Sequence, residues 1–201
     1  MIAVIDYGMG NLRSVQKAIE KVGMPAVITD QADVILNAKK VVLPGVGAMA
    51  PAMERLTELG LVDPIVRTIR EKKPFLGICL GYQLLFEQSD EGGLTKGLGL
   101  LKGEVKRFQS LKVPHMGWNQ LMIRQKNCRL FSDIENSSET YFCHSYYVVP
   151  KDTTVVATTT QYGIEFASSI NSENIYGVQF HPEKSQITGL KLLENFIKIN
   201  L

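Results

Sequence analysis

The sequence predicts an α/β fold, a mostly parallel sheet flanked by helices, with additional antiparallel strands in the second half. Three observations lead to it. Short apolar runs alternate with segments of helical periodicity in the first half, and the second half is rich in strand signals. With 45% of the 201 residues hydrophobic, one sizeable core can form without covalent staples.

Ile2–Ile5 reads as a short buried strand that stops at Asp6-Tyr7-Gly8-Met9-Gly10. Leu12, Val15, Ile19 and Val22 then recur at helical spacing, and Gly23 with Pro25 ends that helix. Ala26–Thr29 and residues 41–43 read as the second and third strands, the third closed by Pro44-Gly45-Val46-Gly47. Helical patterns cover 53–59 and 62–70, where Pro64 falls in an early turn that tolerates it. Phe75–Ile78 is a fourth buried strand, and 80–87 has helical composition. Strand signals recur over 104–108, 120–123, 140–149, 154–160, 164–170 and 175–180. A closing helix spans about 188–199, with Leu190, Leu193 and Ile197 on one face. No Pro/Ser-rich linker or internal repeat divides the chain, so residues 1–201 are read as one domain.

The charge balance narrows the function. Lys and Arg number 22 against 20 Asp and Glu, and no basic run exceeds a pair such as Lys39-Lys40 or Lys72-Lys73. Neither nucleic acid nor a membrane surface is therefore an expected partner. The basic stretch 102–112, interrupted by Glu104, Val105, Phe108 and Leu111, reads as a solvated strand face. No apolar run approaches the roughly 20 residues that span a bilayer, and the N-terminus lacks the basic region of a signal peptide. Three scattered cysteines make no disulfide framework, so the expected compartment is the cytoplasm.

Gly77-Ile78-Cys79-Leu80-Gly81 stands where a buried strand meets a helix, the layout of a nucleophile elbow. Flanking glycines let such a turn be tight, the helix N-terminus favours a thiolate, and the N–H of Leu80 points where an oxyanion would form. A Cys nucleophile needs an imidazole brought near by folding. Among His115, His144 and His181, the last ends a strand and is followed by Pro182 and Glu183. In extended backbone residues two apart point the same way, so Glu183 is expected to reach that ring, orient it and stabilise its charged form. Cys143-His144 is a poor alternative, because adjacent strand residues face opposite ways; Cys143 is read as packing, and Cys128 as an idle loop residue. Pro44-Gly45-Val46-Gly47 either offers a second oxyanion donor or is a plain strand-to-helix turn. Gly8-Met9-Gly10-Asn11 is no dinucleotide fingerprint, since Arg13 replaces the third glycine. No Cys/His spacing fits a metal, and none is expected.

Gly77-Ile78-Cys79-Leu80-Gly81-Tyr82-Gln83 together with His181-Pro182-Glu183 resembles the class I glutamine amidotransferases. Four further segments resemble one branch of that family, the glutaminase subunits of imidazole glycerol phosphate synthases. These are the stretches 6–12, 43–47, 114–119 and 141–146, and the likeness runs the length of the chain. Tyr82 departs mildly from it, where relatives often carry Met or His.

The resemblance implies a flavodoxin-like fold and a Cys79-His181-Glu183 triad that releases ammonia from L-glutamine without a cofactor. It places the oxyanion donors at Leu80, Val46 and Gly47, and the substrate contacts at Gly45, Gln83, Glu91, Ser145 and Tyr146. The implied partner is a TIM-barrel cyclase subunit in a heterodimer, which uses channelled ammonia to make imidazole glycerol phosphate and aminoimidazole carboxamide ribotide for histidine biosynthesis. Stretches 6–11 and 114–119 are the expected docking face, and Trp118 is read either as an interface anchor or as core.

Overall fold

A computed structural model describes residues 1–109 and 112–200; Ser110 and Leu111, part of the basic stretch noted above, lie outside the described residues, as does Leu201. The chain begins with β1 (Ile2–Ile5), α1 (Leu12–Lys21), β2 (Ala26–Thr29), α2 (Ala32–Asn37), β3 (Lys40–Leu43), α3 (Met49–Glu58), α4 (Val62–Arg70) and β4 (Phe75–Ile78). The apolar runs are short and uninterrupted because these strands are covered on both faces. Alternation along each strand assigns its residues to two layers. Ile2, Val4, Val42 and Leu76 pack with Val15 and Ile19 of α1. Ala3, Ile5, Val41, Leu43 and Phe75 pack on the other face with Ile35 of α2, Leu56 of α3 and Ile65 of α4.

The middle of the chain contains α5 (Leu80–Gln83), β5 (Phe86–Ser89), β6 (Thr95–Lys96), β7 (Leu101–Arg107), β8 (His115–Gln120), β9 (Met122–Ile123), β10 (Glu139–His144) and β11 (Tyr146–Pro150). It ends with β12 (Val156–Tyr162), β13 (Ile164–Ser172), β14 (Ile175–Val178) and α6 (Gln186–Lys198). The principal sheet runs β2-β1-β3-β4-β14-β13-β11-β7-β5-β6. Its first five strands are parallel, and from β13 onward most pairings are antiparallel. Helix α6 covers the same face as α1, through Leu192, Leu193 and Phe196. A separate ladder pairs β8 with β10.

Tertiary contacts overrode local pattern at four places. The helix expected over 80–87 stops at Gln83, and the chain turns into β5, which pairs with β7. Leu84, Leu85 and Phe86 are consecutive and fully buried, leaving no polar face for a surface helix. The single strand expected over 140–149 breaks at Ser145, because β10 belongs to the β8 ladder and β11 to the large sheet. Strand β8, with Gly117 and Asn119, has weak strand propensity and is supported by its ladder to β10. Helix α3 begins at Met49 and not at 53: the Glu91 carboxylate accepts from the Met49 N–H at 2.9 Å, a cap supplied from far along the chain.

Candidate active site

Three adjacent strands, β3, β4 and β14, end at one edge of the sheet, so the loops that follow them converge. They carry Pro44-Gly45-Val46-Gly47, Cys79 and His181, respectively. Open α/β sheets bind ligands at this carboxyl edge.

Cys79 itself takes the unusual backbone of the elbow, with φ 54° and ψ −108°. In a non-glycine residue that conformation costs on the order of 1–3 kcal/mol. The neighbouring glycines act by close approach and not by turn freedom. A Cβ on Gly81 would stand 1.8 Å from the Leu43 carbonyl oxygen, and one on Gly177 would stand 2.2 Å from the Tyr82 ring. Their bare Cα atoms let α5 rest directly on the strands below.

His181 Nδ1 lies 2.9 Å from Glu183 Oε1, so the imidazole donates there and its other nitrogen is left for the cysteine. A 3-10 turn over Pro182–Lys184, and not extended chain, makes that contact. Burial pushes the imidazole down, but hydrogen bonds to Cys79 and Glu183, with the charges of both, outweigh it and raise His181 to about 10.

A cavity of about 260 Å³ opens over Cys79, lined also by Val46, Gly47, Leu80, Gln83, Glu91, Ser145, Tyr146 and His181. Pro114, Cys143, His144 and Lys184 complete its wall. Two of the expected site residues are not in the wall. Glu183 stands behind His181, and Gly45 is packed against the buried Tyr7 hydroxyl, 2.1 Å from where a Cβ would be. The Gly45 carbonyl accepts from the Leu80 N–H at 3.3 Å, so the N–H expected to serve as an oxyanion donor is engaged by the protein.

The remaining expected contacts have identifiable tasks. Gln83 Nε2 donates to the Tyr146 carbonyl at 3.1 Å and to Gln179 Oε1 at 2.9 Å. Glu91 caps α3 and lines the cavity. Ser145 and Tyr146 sit at the break between β10 and β11, where the Ser145 carbonyl accepts from the Phe108 N–H at 3.1 Å.

The other two histidines form a separate chain. His144 Nδ1 lies 2.7 Å from the Tyr146 carbonyl, His144 Nε2 lies 2.9 Å from His115 Nδ1, and Asn119 Nδ2 lies 3.1 Å from His115 Nε2. A carbonyl only accepts, so His144 carries its proton on Nδ1 and receives one from His115 Nδ1–H; both rings are neutral. Desolvation pushes His115 down to about 4 and His144 to about 3.

Sequence reasoning overlooked Gln179, which is fully buried with Nε2 3.7 Å from Cys79 Sγ. The available signal was its place two residues before His181, which puts both on one face of extended chain. Cys143 does more than pack: it lines the cavity, and its carbonyl accepts from Cys79 Sγ at 3.9 Å. Cys128 is buried, and that burial pushes its thiol up. Trp118 is 46% exposed and Met116 61%, which removes the core reading of the tryptophan. Among the described residues no group of three or more His, Cys, Asp or Glu could hold a metal ion, and no helix is long and apolar enough to cross a membrane.

Residues 3–199 match the family model described as glutamine amidotransferase class-I. The imidazole glycerol phosphate synthase subunit HisH of Geobacter sulfurreducens is 53% identical over 203 residues, covering 97% of both chains. Its counterpart from Aquifex aeolicus is 55% identical over 195 residues, covering 96% of this chain and 94% of the relative. Among solved structures, PurLQS from Thermotoga maritima superposes with a TM-score of 0.76 at 19% identity, covering 98% of this chain and 96% of that one. A structure described as glutamine amidotransferase gives 0.75 at 17%, with 98% coverage of both. At these identities the two structures speak for the fold alone.

Proposed function

The chain belongs to the class-I glutamine amidotransferases, and within them to the HisH glutaminase subunits of imidazole glycerol phosphate synthase, and from that premise we propose that Cys79, His181 and Glu183 hydrolyse the side-chain amide of L-glutamine. The observation that carries the assignment is the strained Cys79 facing, across one small cavity, an imidazole held by a buried carboxylate. Cys79 Sγ attacks the amide carbon, and the C–N bond breaks as His181 protonates the departing ammonia. Water, giving a proton to the same imidazole, then breaks the C–S bond and releases glutamate. Glu183 keeps the ring in the required tautomer.

Each tetrahedral intermediate needs N–H donors from Leu80 and from the Val46–Gly47 part of the loop. Because the Leu80 N–H is engaged by Gly45, full turnover requires that carbonyl to turn away. Gln83, Glu91, Ser145, Tyr146 and the Gly45 loop hold the amino-acid end of the substrate. A cavity of about 260 Å³ suits a ligand of amino-acid size.

The whole chain serves as one domain, working in the cytoplasm in a heterodimer with a TIM-barrel cyclase. That lyase partner consumes the ammonia while making imidazole glycerol phosphate. Free ammonia is mostly protonated at neutral pH and then non-nucleophilic, which favours direct transfer through a docked complex. The exposed Met116 and Trp118 on β8 are apolar anchors suited to such docking.

Glutamine hydrolysis measured with and without the cyclase subunit and its nucleotide ligand tests this reading. The expected result is slow turnover alone and an increase of at least about 100-fold in the complex, the scale of one restored oxyanion donor. Absence of binding to the cyclase, or turnover of peptides in place of glutamine, overturns it.

A further inference from the structure

We propose that Gln179 is a further catalytic residue of this site, whose side-chain amide, locked in one orientation by Gln83, donates a hydrogen bond to Cys79 Sγ and favours the thiolate. The assignment deepens the glutaminase reading and rests on Cys79 being the nucleophile.

The direction of the amide follows from a backbone carbonyl. Tyr146 O accepts only, so the Gln83 group 3.1 Å from it is the NH₂. The other hydrogen of that NH₂ points to the Gln179 side chain at 2.9 Å, which must present oxygen there. The Gln179 NH₂ is thereby turned toward Cys79 Sγ at 3.7 Å. A flipped Gln179 would oppose two donors at Gln83 and aim an oxygen at the sulfur. The donor is held in place: Gln179 is fully buried, and its backbone N–H donates to the Ser168 carbonyl at 2.9 Å.

The sulfur thus has two groups of the segment after β14 beside it: the Gln179 amide, which donates at 3.7 Å, and the His181 imidazole, whose charged form the thiol favours. The imidazole must leave the sulfur to protonate ammonia, whereas the amide stays, so a thiolate regenerated when the thioester breaks is met by a donor already in place. Gln83 both lines the cavity and holds the amide, which links substrate contact to the state of the nucleophile.

The test is alkylation of the full-length chain by iodoacetamide, read at Cys79 by mass spectrometry across pH. This reagent needs no glutamine site, so the readout is separate from substrate binding. Gln179→Met keeps length and removes the donor; Gln179→Glu presents oxygen to the sulfur. Both are expected to slow alkylation at neutral pH by about tenfold, the low end for a hydrogen bond to a charged group at this distance, and to move the midpoint to higher pH. The groups around Cys79 that shape the same profile are His181 with Glu183, Tyr7 in the loop after β1, and His144 at the end of β10, which lines the same cavity. Folded variants that alkylate within twofold of the parent, with an unmoved midpoint, overturn the proposal. If both variants fail to fold, the side-chain amide resonances of Gln179 in the ¹⁵N-labelled parent decide: they shift on alkylation of Cys79 if the bond exists, and do not if it is absent. Failure of the glutaminase reading is seen separately, as glutamine turnover that survives Cys79→Ser.

Discussion

His181 and His144 line one cavity, and His115 is bonded to His144 behind it; all three are buried, at 4%, 6% and 3% exposure, yet they are driven in opposite directions. His181 has a carboxylate and a thiol for partners and is raised to about 10. His115 and His144 have each other, a carboxamide and a backbone carbonyl, and fall to about 4 and about 3. Burial alone disfavours the charged ring in all three. Partner chemistry therefore decides which imidazole handles protons and which pair is a neutral strut. The strut joins β8, which carries the exposed Met116 and Trp118, to the Tyr146 carbonyl that also orients Gln83.

The largest effect expected at the charged end comes from Cys79→Ala. Glutamine hydrolysis should fall by on the order of 10⁴-fold or more, while cyclisation fed with ammonium salts persists in the complex; steady-state rates with each nitrogen source check both. Next, Glu183→Gln removes the orienting charge and keeps the nucleophile, so kcat should drop by about 10²–10³-fold. A loss equal to that of Cys79→Ala would mean Glu183 does more than orient. At the neutral end, His144→Asn keeps a donor toward the Tyr146 carbonyl and should change glutamine turnover by less than about tenfold. A loss comparable to that of Glu183→Gln would erase the distinction between the two regions.

The smallest and most diagnostic effect is in stability against pH. The pKa values of His115 and His144 are depressed in the folded protein, so the unfolded chain binds more protons once pH falls below about 6.5. Their stabilising contribution is present above that pH and is lost as pH falls toward 4 and 3, with a slope of up to about 1.4 kcal/mol per pH unit for each ring. His181 has the opposite sign: its contribution is present at low pH and is lost only as pH rises toward about 10. Denaturant unfolding from pH 7 to pH 4 should show the slope in the parent, and a flatter one in His144→Asn.

The five strands of the parallel region were legible in the sequence because each is a short, mostly apolar run, and β2, β3 and β4 abut Pro25, Pro44 and Pro74. So was the elbow, since Gly-X-Cys-X-Gly between a strand and a helix carries its geometry locally. The antiparallel region was harder to read. Strand β8 has little propensity of its own, the break at Ser145 reflects two competing ladders, and the start of α3 depends on a carboxylate 42 residues away. In the site, the proposed triad was picked out by motif and spacing, whereas Gln179 was not singled out because its approach to the sulfur depends on the orientation of Gln83.

The sequence by itself determined the α/β class and singled out Cys79 and His181 as the proposed nucleophile and base, because backbone turn preferences and side-chain chemistry act over a few residues. Only the tertiary structure decided that Leu80 donates to Gly45, that Gln179 faces the sulfur and that two of three buried histidines stay neutral. Each of those outcomes depends on which polar group lies within about 3 or 4 Å after folding. At that range in a desolvated site, one partner outweighs the intrinsic preference of the side chain.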